Sequence, residues 1–359
     1  MKRNCIWGFS YGPPYDEAGK NRVQSLSNYF GLYLITTGRI TTLISRNSNS
    51  IIFKRSFLGL LLFSLYSFWF LVLRCENVFI LMKPDSQFLS FWSLLLKNRV
   101  IHIISNQCFY DENNSEYNSK YNHYFTYVFP RLKYVGTTNK KEKFIIDKRT
   151  RSDLKTFIFL PEIELKKFAP STPPETTPFN ILFASAPMTK EAFENKGIEV
   201  MLKGFKRFSK EIDSRLIIVW RRDCYTNLLD SMKNMIDTMD LNDHVIIINE
   251  EIENMQVVYD KSHITILINR NHLDTPNHPR SLIESLSVGR PIITSSINEI
   301  SEIILNENVG SVCDFDENSV YIALLDCYNN YHKKQLNSSF VAETYFDINN
   351  KKKVFDKIL

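Results

Sequence analysis

Apolar runs and polar breaks alternate along this chain in a repeating order of strand, loop and helix. In the first half, Cys5–Phe9, Leu32–Thr36 and Thr42–Ser45 read as short strands, and Asn21–Phe30 is helical through Val23, Leu26 and Phe30. Strand Val78–Met82, helix Phe88–Leu96 and strand Val100–Ile104 follow, then a polar loop, Tyr110–Asn122. A helical Phe125–Leu132, strand Lys133–Thr137, helix Lys140–Asp147 and strand Phe157–Leu160 close the half. A second series places strands at Phe179–Ala184, Arg215–Trp220, His244–Ile248, Ile264–Ile268 and Pro291–Thr294. Helices Gly197–Lys210, Leu228–Met239, Asn254–Lys261, Ser281–Ser287 and Ile300–Leu305 alternate with them. The strands are apolar throughout rather than at every second residue, which predicts parallel sheets covered on both faces.

Between the series, residues 169–178 carry four prolines and no large apolar residue, the clearest linker in the chain. The expected organisation is α/β, with two Rossmann-like doubly wound domains at 1–168 and 179–339. The amphipathic tail, 340–359, is expected to pack back on the first. A length of 359 residues is sufficient for two cores.

One segment departs from this rhythm. Ser56–Leu73 has no charged residue, and Lys54, Arg55 and Arg74 flank it. The slot between two strands favours a core helix; a helix pressed onto a membrane and a true span are the other two readings.

Composition changes little. Hydrophobic residues at 44% and charged residues at 23% describe a globular protein, and a net charge of +5 permits anionic partners without demanding nucleic acid. Six cysteines with no Cys-x-x-Cys pair argue for a reducing compartment and against zinc. No secretory signal is evident at the N-terminus, so the expected location is cytoplasmic. Asp314-Phe-Asp316 has the look of a metal motif, but its place before a helix makes Asp316 an N-cap. The basic residues from Lys140 to Lys155 are interrupted by acids and read as a solvated face beside lipid headgroups.

The candidate chemistry centres on Asn277–Ser295. Pro279 opens a loop, Ser281–Ser287 is a short helix, Gly289 suits a left-handed helix end, and Pro291 stops the helix. The helix start offers N–H groups to a phosphate. Glu284, one turn in, can accept from sugar hydroxyls. Diphosphate and ribose together describe a nucleotide sugar. Arg221 and Arg222 follow a strand at the carboxyl edge of the sheet and are candidates to support a leaving pyrophosphate.

The stretch resembles the donor signature of the GT-B glycosyltransferases, above all retaining glycosyltransferase family 4, with its Glu-Gly-Phe-Gly/Pro-x-x-x-x-Glu-Ala-Met-Ala-x-Gly-x-Pro-Val-Ile. Pro279, Glu284, Gly289 and Pro291 fall at matching places, while Pro276 stands where the family has its first Glu. Lys196-Gly-Ile-Glu-Val-Met-Leu-Lys-Gly-Phe resembles the family's Lys-Gly-x-x-x-Leu-Leu-x-Ala-Phe, and Ala186 stands where the family has an Arg. Ala18-Gly19 resembles its small-residue loop on the diphosphate, and no His follows Val100–Ile104. His102 itself reads as a core residue.

The resemblance implies two domains about an interdomain cleft, retention at the anomeric carbon, and no cofactor or metal. It implies a nucleotide-sugar donor and a glycan or lipid-linked acceptor in cell-surface polysaccharide assembly; hydropathy alone offers peripheral membrane contact through 54–74, at the inner face of the cell membrane, and the mild charge calls for no nucleic acid. Lys196 by the resemblance, Arg221 and Arg222 by their place after a strand, and Asp274 by its place two residues before Pro276 are the catalytic candidates. Gly19, Lys196, Ile252, Pro279, Arg280, Ser281, Leu282 and Glu284 are donor-binding candidates. A non-catalytic GT-B subunit and a nucleotide-sugar 2-epimerase are the alternatives.

Overall fold

The computed structural model describes residues 3–11, 18–82, 86–104, 121–149, 155–175, 177–187, 189–220, 226–250, 252–271 and 278–358. The chain divides into two compact units, Met1–Glu162 with Asn349–Leu359, and Ile163–Ile348.

In the first unit the order is β1 (Arg3–Gly8), α1 (Ala18–Phe30), β2 (Tyr33–Gly38), β3 (Ile44–Asn47), β4 (Ser50–Lys54) and α2 (Phe57–Arg74). It continues with β5 (Cys75–Ile80), α3 (Gln87–Leu95), β6 (Val100–Ile104), β7 (Tyr134–Thr137), α4 (Lys140–Arg149) and β8 (Lys155–Ile158). These strands form one eight-stranded sheet in the order β3-β4-β2-β1-β5-β6-β7-β8, with β3 alone antiparallel to its neighbour. β1 pairs β2 on one side and β5 on the other, so the winding reverses there. One face of the sheet is closed by Trp7, Phe63, Leu89, Trp92 and Ile146, and the other by Ile6, Leu26, Leu34 and Phe79.

Three local features differ from the sequence reading. β4 lies in a stretch whose apolar character merges with that of the next helix, and the antiparallel β3–β4 pair is what separates it. Residues Tyr124–Val128 form a π-helical turn continued by a 3-10 turn, Phe129–Arg131, where Pro130 withholds an N–H. Cys5 and Cys75, far apart in sequence, sit on adjacent strands and are joined as a disulfide, which removes the ground for inferring a reducing compartment from unpaired cysteines.

α2 also corrects an expectation. Ser56 caps it, its Oγ accepting from Gly59 N. Gly59 is required because a Cβ there would lie 2.0 Å from the Lys54 carbonyl oxygen. Only Gly59, Phe63, Ser67, Phe70 and Leu71 are buried, a single stripe at helical spacing, so α2 is not a core helix. Its opposite side is apolar and exposed.

In the second unit come β9 (Phe179–Phe183), α5 (Lys190–Asn195), α6 (Ile198–Ser209), β10 (Ser214–Val219), α7 (Thr226–Thr238), β11 (Val245–Ile248) and α8 (Gln256–Asp260). Then follow β12 (Ile264–Leu267), α9 (Arg280–Ser287), β13 (Ile292–Ser295), α10 (Ile300–Glu307), β14 (Gly310–Cys313), α11 (Glu317–Asn329) and α12 (Tyr331–Phe346). Every ladder is parallel, in the order β11-β10-β9-β12-β13-β14. Counted from the first strand of the unit this is 3-2-1-4-5-6, whose switch point lies between β9 and β12. Asp316 caps α11 by accepting from Ser319 N, so the Asp-x-Asp pair serves a helix start. Gly289 takes φ 85° after α9, the left-handed turn its position calls for.

The last helix, α13 (Lys352–Ile358), returns to the first unit, where Phe355 stacks on Phe30 at 3.8 Å and packs on Phe79 at 5.2 Å. In the same unit Arg22 forms a buried ion pair with Glu162, Nε to Oε1 3.1 Å.

Candidate active site

In a doubly wound sheet the backbone opens between the two strands that flank the switch point, and ligands lie beyond their carboxyl ends. Here those strands are β9 and β12. Lys196 follows β9, and the loop into α9 follows β12, so the topology brings two separate sequence motifs to one edge.

The first motif is fixed by its glycine. Gly197 has φ 57°, and a Cβ on it would approach Phe315 to 2.6 Å and Ile268 to 2.9 Å. Only glycine meets both demands. This turn holds Lys196 against the exit of β9, where its ammonium donates to the Ser185 carbonyl at 2.9 Å and to the Ser185 hydroxyl. Asn195 closes the gap to β12: its side-chain oxygen accepts from Arg270 N at 3.1 Å and Asn271 N at 2.9 Å. Sequence reasoning missed Asn195, since its partners lie seventy-five residues on.

The second motif is α9. Leu282 and Leu286 are fully buried, and Ile283 nearly so, each side chain contributing about 1.5–3 kcal/mol by leaving water. That anchoring fixes the helix start. Leu282 N and Ile283 N both donate to Pro279 O, at 3.1 and 3.3 Å. The Leu282 N–H is thus turned back into the helix, and the first-turn donors with no carbonyl partner within the helix are those of Arg280 and Ser281.

Glu284 is largely buried, with 13% of its side chain exposed. Its Oε1 accepts from Arg280 Nε at 2.9 Å, and its Oε2 accepts from the Tyr259 hydroxyl at 2.9 Å. Burial raises its pKa above the usual carboxylate range, and the Arg280 charge with the two hydrogen bonds pulls it back. Tyr259 is buried beneath it, its hydroxyl also 3.1 Å from Ser281 O, and burial with the nearby carboxylate pushes its pKa well up. Glu284 therefore points into a polar cluster, not bulk water. Tyr259 carries no signal in the sequence beyond an apolar helix, and only its position beneath α9 reveals its role.

Ile252, beyond β11, packs in the apolar cluster that holds Tyr259, Val258 and Leu182. His278 is buried and lies edge-on to Phe346, 5.8 Å between rings. Arg290, between Gly289 and Pro291, is fully buried, and its guanidinium is held chiefly by backbone: it donates to the carbonyls of Ser262, Ser171 and Thr172 at 2.8–3.0 Å. It straps the end of the linker to this unit. Arg221, Arg222, Asp274 and Pro276 lie outside the described residues.

In the first unit, Gly19 lies in the first turn of α1. His102 is a satisfied core residue, its Nε2 paired with Met82 O at 2.8 Å and its Nδ1 with the Tyr124 hydroxyl at 2.7 Å. Burial lowers its pKa to about 4, so it is neutral near pH 7.

Residues 184–327, which hold both motifs, match the family model described as Glycosyl transferases group 1. No curated protein matches the sequence. Among solved structures, the chain is similar to sucrose-phosphate synthase from Thermosynechococcus elongatus, at a TM-score of 0.75 and 12% identity over 99% of both chains. It is similar to a glycosyltransferase from Rickettsia africae, at a TM-score of 0.72 and 16% identity, covering 100% of this chain and 99% of that one. HepE of Anabaena, solved in complex with UDP, gives a TM-score of 0.76 at 11% identity over 99% of both. The fold is GT-B, two parallel-sheet α/β domains. With the group 1 domain over 184–327, the protein is a glycosyltransferase in class.

Proposed function

We propose that the protein moves a sugar from a nucleotide-sugar donor to a glycan or lipid-linked acceptor in cell-surface polysaccharide assembly, with retention at the anomeric carbon. The observation that carries this reading is a helix N-terminus at a topological switch point with a buried, hydrogen-bonded Glu284 one turn inside. The diphosphate is met by the first-turn N–H groups of α9, the Ser281 hydroxyl and the Arg280 guanidinium. Glu284 accepts from the ribose hydroxyls. An ionised carboxylate has about four lone-pair sites, and Arg280 and Tyr259 occupy two of them.

In the transfer, the bond between the anomeric carbon and the diphosphate oxygen breaks, negative charge grows on the leaving oxygen, the acceptor's hydroxyl oxygen bonds to the anomeric carbon on the same face, and its proton passes to the leaving diphosphate. Lys196 is the cation on the β9 side placed to stabilise it, with Arg221 or Arg222 as a second. Asp274 is assigned to the donor sugar. Helix dipole and side-chain cations balance this charge without a metal ion. HepE of Anabaena has been solved with UDP and with UDP-glucose, which makes a uridine donor the first to test.

The test is release of nucleoside diphosphate from a panel of nucleotide sugars, run with and without a chelator. Turnover of one donor, insensitive to chelation, is expected. Binding without turnover would replace this reading with a nucleotide-binding subunit, and an altered sugar without diphosphate release would replace it with an epimerase.

A further inference from the structure

We propose that the face of the first unit built by α2 and α3 is a docking surface for an anionic lipid bilayer, on which the protein rests without spanning it.

The exposed side of α2 is apolar along its whole length. Phe57 is 87% exposed, Leu65 61%, Leu73 58% and Phe68 51%, and they recur at helical spacing opposite the buried stripe. Among the exposed residues of α2 only Ser64 and Arg74 are polar. Ser64 donates to its own helix, Oγ to Leu60 O at 2.9 Å, so it asks nothing of water. On α3, Phe88, Phe91 and Leu94 are about half exposed. Both helices pack on Phe9, Phe63 at 4.9 Å and Phe88 at 4.6 Å, which puts their bare faces on the same side of the sheet. A soluble surface does not keep so large an apolar patch without an occupant.

Charge identifies the occupant. The first unit has 26 Lys and Arg against 12 Asp and Glu, a net +14, while the second has 18 against 27, a net −9. The excess lies beside the patch as well as elsewhere. Arg55 and Arg74 flank α2, and the Arg74 guanidinium sits 5.8 Å from the Trp69 ring, the pairing of aromatic and cation that suits a headgroup boundary. On α4, Phe144 is 63% exposed amid Lys140, Lys141 and Lys143, and its neighbours Ile145 and Ile146 pack in the same core as Phe63. A second copy of the chain would oppose two strongly basic units, so an anionic lipid surface is the better complement.

Geometry excludes a span. α2 is long and apolar enough to cross a bilayer, but its buried stripe holds it along the sheet, where the Trp7 indole N–H donates to Ser67 Oγ at 2.9 Å. A helix fixed on one side can only lie flat, its roughly 27 Å length in the plane of the interface.

The test is co-sedimentation of the full chain with phosphatidylcholine vesicles, with and without phosphatidylglycerol, at low and high salt. Binding to the anionic vesicles is expected, at least about 10-fold weaker without phosphatidylglycerol. Leu65→Glu with Phe68→Glu should lower partitioning about 100-fold at unchanged melting temperature, and Lys140→Gln with Lys141→Gln about 10-fold. Donor turnover in solution is the separate readout, expected to be unaffected by either pair. Failure to bind either vesicle overturns the proposal. So does a wild-type dimer that the glutamate pair dissociates, which would make the face a contact between copies.

Discussion

Helices α2 and α9 each bury five residues, but α2 runs to eighteen residues and α9 to eight. α9 is enclosed: Leu282, Ile283 and Leu286 have at most 1% of their surface in water, and only Arg280, Ser281 and Glu284 keep partial contact with it. α2 is the reverse, with a sparing contact to its sheet and bare Phe, Leu and Trp on the other side. The more hydrophobic helix is thus the less buried one. Burial is set by what an element packs against, and apolar surface left over after packing has to be explained by something outside the chain. In α9 the packing fixes a polar edge for a soluble, charged ligand; in α2 it presents an oily face.

The sharpest way to break this contrast is to truncate the anchored helix. Leu282→Ala should cost about 3 kcal/mol, because the enclosed site cannot collapse around the lost methyl groups. Chemical denaturation followed by circular dichroism measures it, and a loss below about 1 kcal/mol would mean α9 is not held as described. Next in size is the polar edge itself. Glu284→Gln keeps the shape but removes the charge that Arg280 and Tyr259 both address, and donor turnover, measured as kcat/KM, should fall about 100-fold. Unchanged kinetics would remove Glu284 from the site.

A smaller effect separates the interiors by pH. His102 in the first unit and His263 in the second are held by burial at pKa values of about 4, below the ordinary value near 6.5. A depressed histidine is neutral in the folded state while the unfolded chain takes up a proton. The contribution is therefore complete above pH 6.5 and is lost as pH falls from 6.5 towards 4. At pH 5 the loss should amount to about 2 kcal/mol for His102, and His263, equally shut off from water, should add to it. Melting temperatures recorded between pH 7 and 5 should fall, and His102→Gln should flatten the slope. A slope untouched by that change would place the titration elsewhere.

How far the sequence anticipated the molecule follows the same division. The second unit was readable almost element by element, because each of its strands is a short apolar run between glycine, proline or polar breaks, and Gly197 and Gly289 sit where the backbone turns left-handed. Lys196 and Glu284 were readable by motif. Tyr259, Asn195 and Arg290 were not, since each acts through contacts made only when distant segments meet: Tyr259 reaches Glu284 twenty-five residues on, and Arg290 reaches back to Ser171. In the first unit, β4 was hidden because Ile51, Ile52 and Phe53 merge with the apolar helix that follows, and no period separates a short buried strand from such a neighbour. The Cys5–Cys75 pair needed the β1–β5 adjacency, which spacing along the chain does not contain. The exposure of α2 escaped for a related reason: an all-apolar helix looks the same whether a core or a membrane surrounds it.

The smallest expected effect bears on that last point most directly. Leu65→Ala removes as much hydrocarbon as Leu282→Ala, from a helix of greater hydrophobicity. A tally of apolar residues would rank it at least as damaging. Yet Leu65 is 61% exposed and lies on the side of α2 facing away from the sheet, so the folded state has little packing there to lose. Stability in solution should stay within about 0.5 kcal/mol of wild type by the same denaturation measurement. A cost near that of Leu282→Ala would mean α2 is enclosed in solution by a partner or a second copy. A negligible cost, set beside weaker vesicle binding, would show that the hydrocarbon of α2 acts on something outside the fold, where that of α9 acts within it.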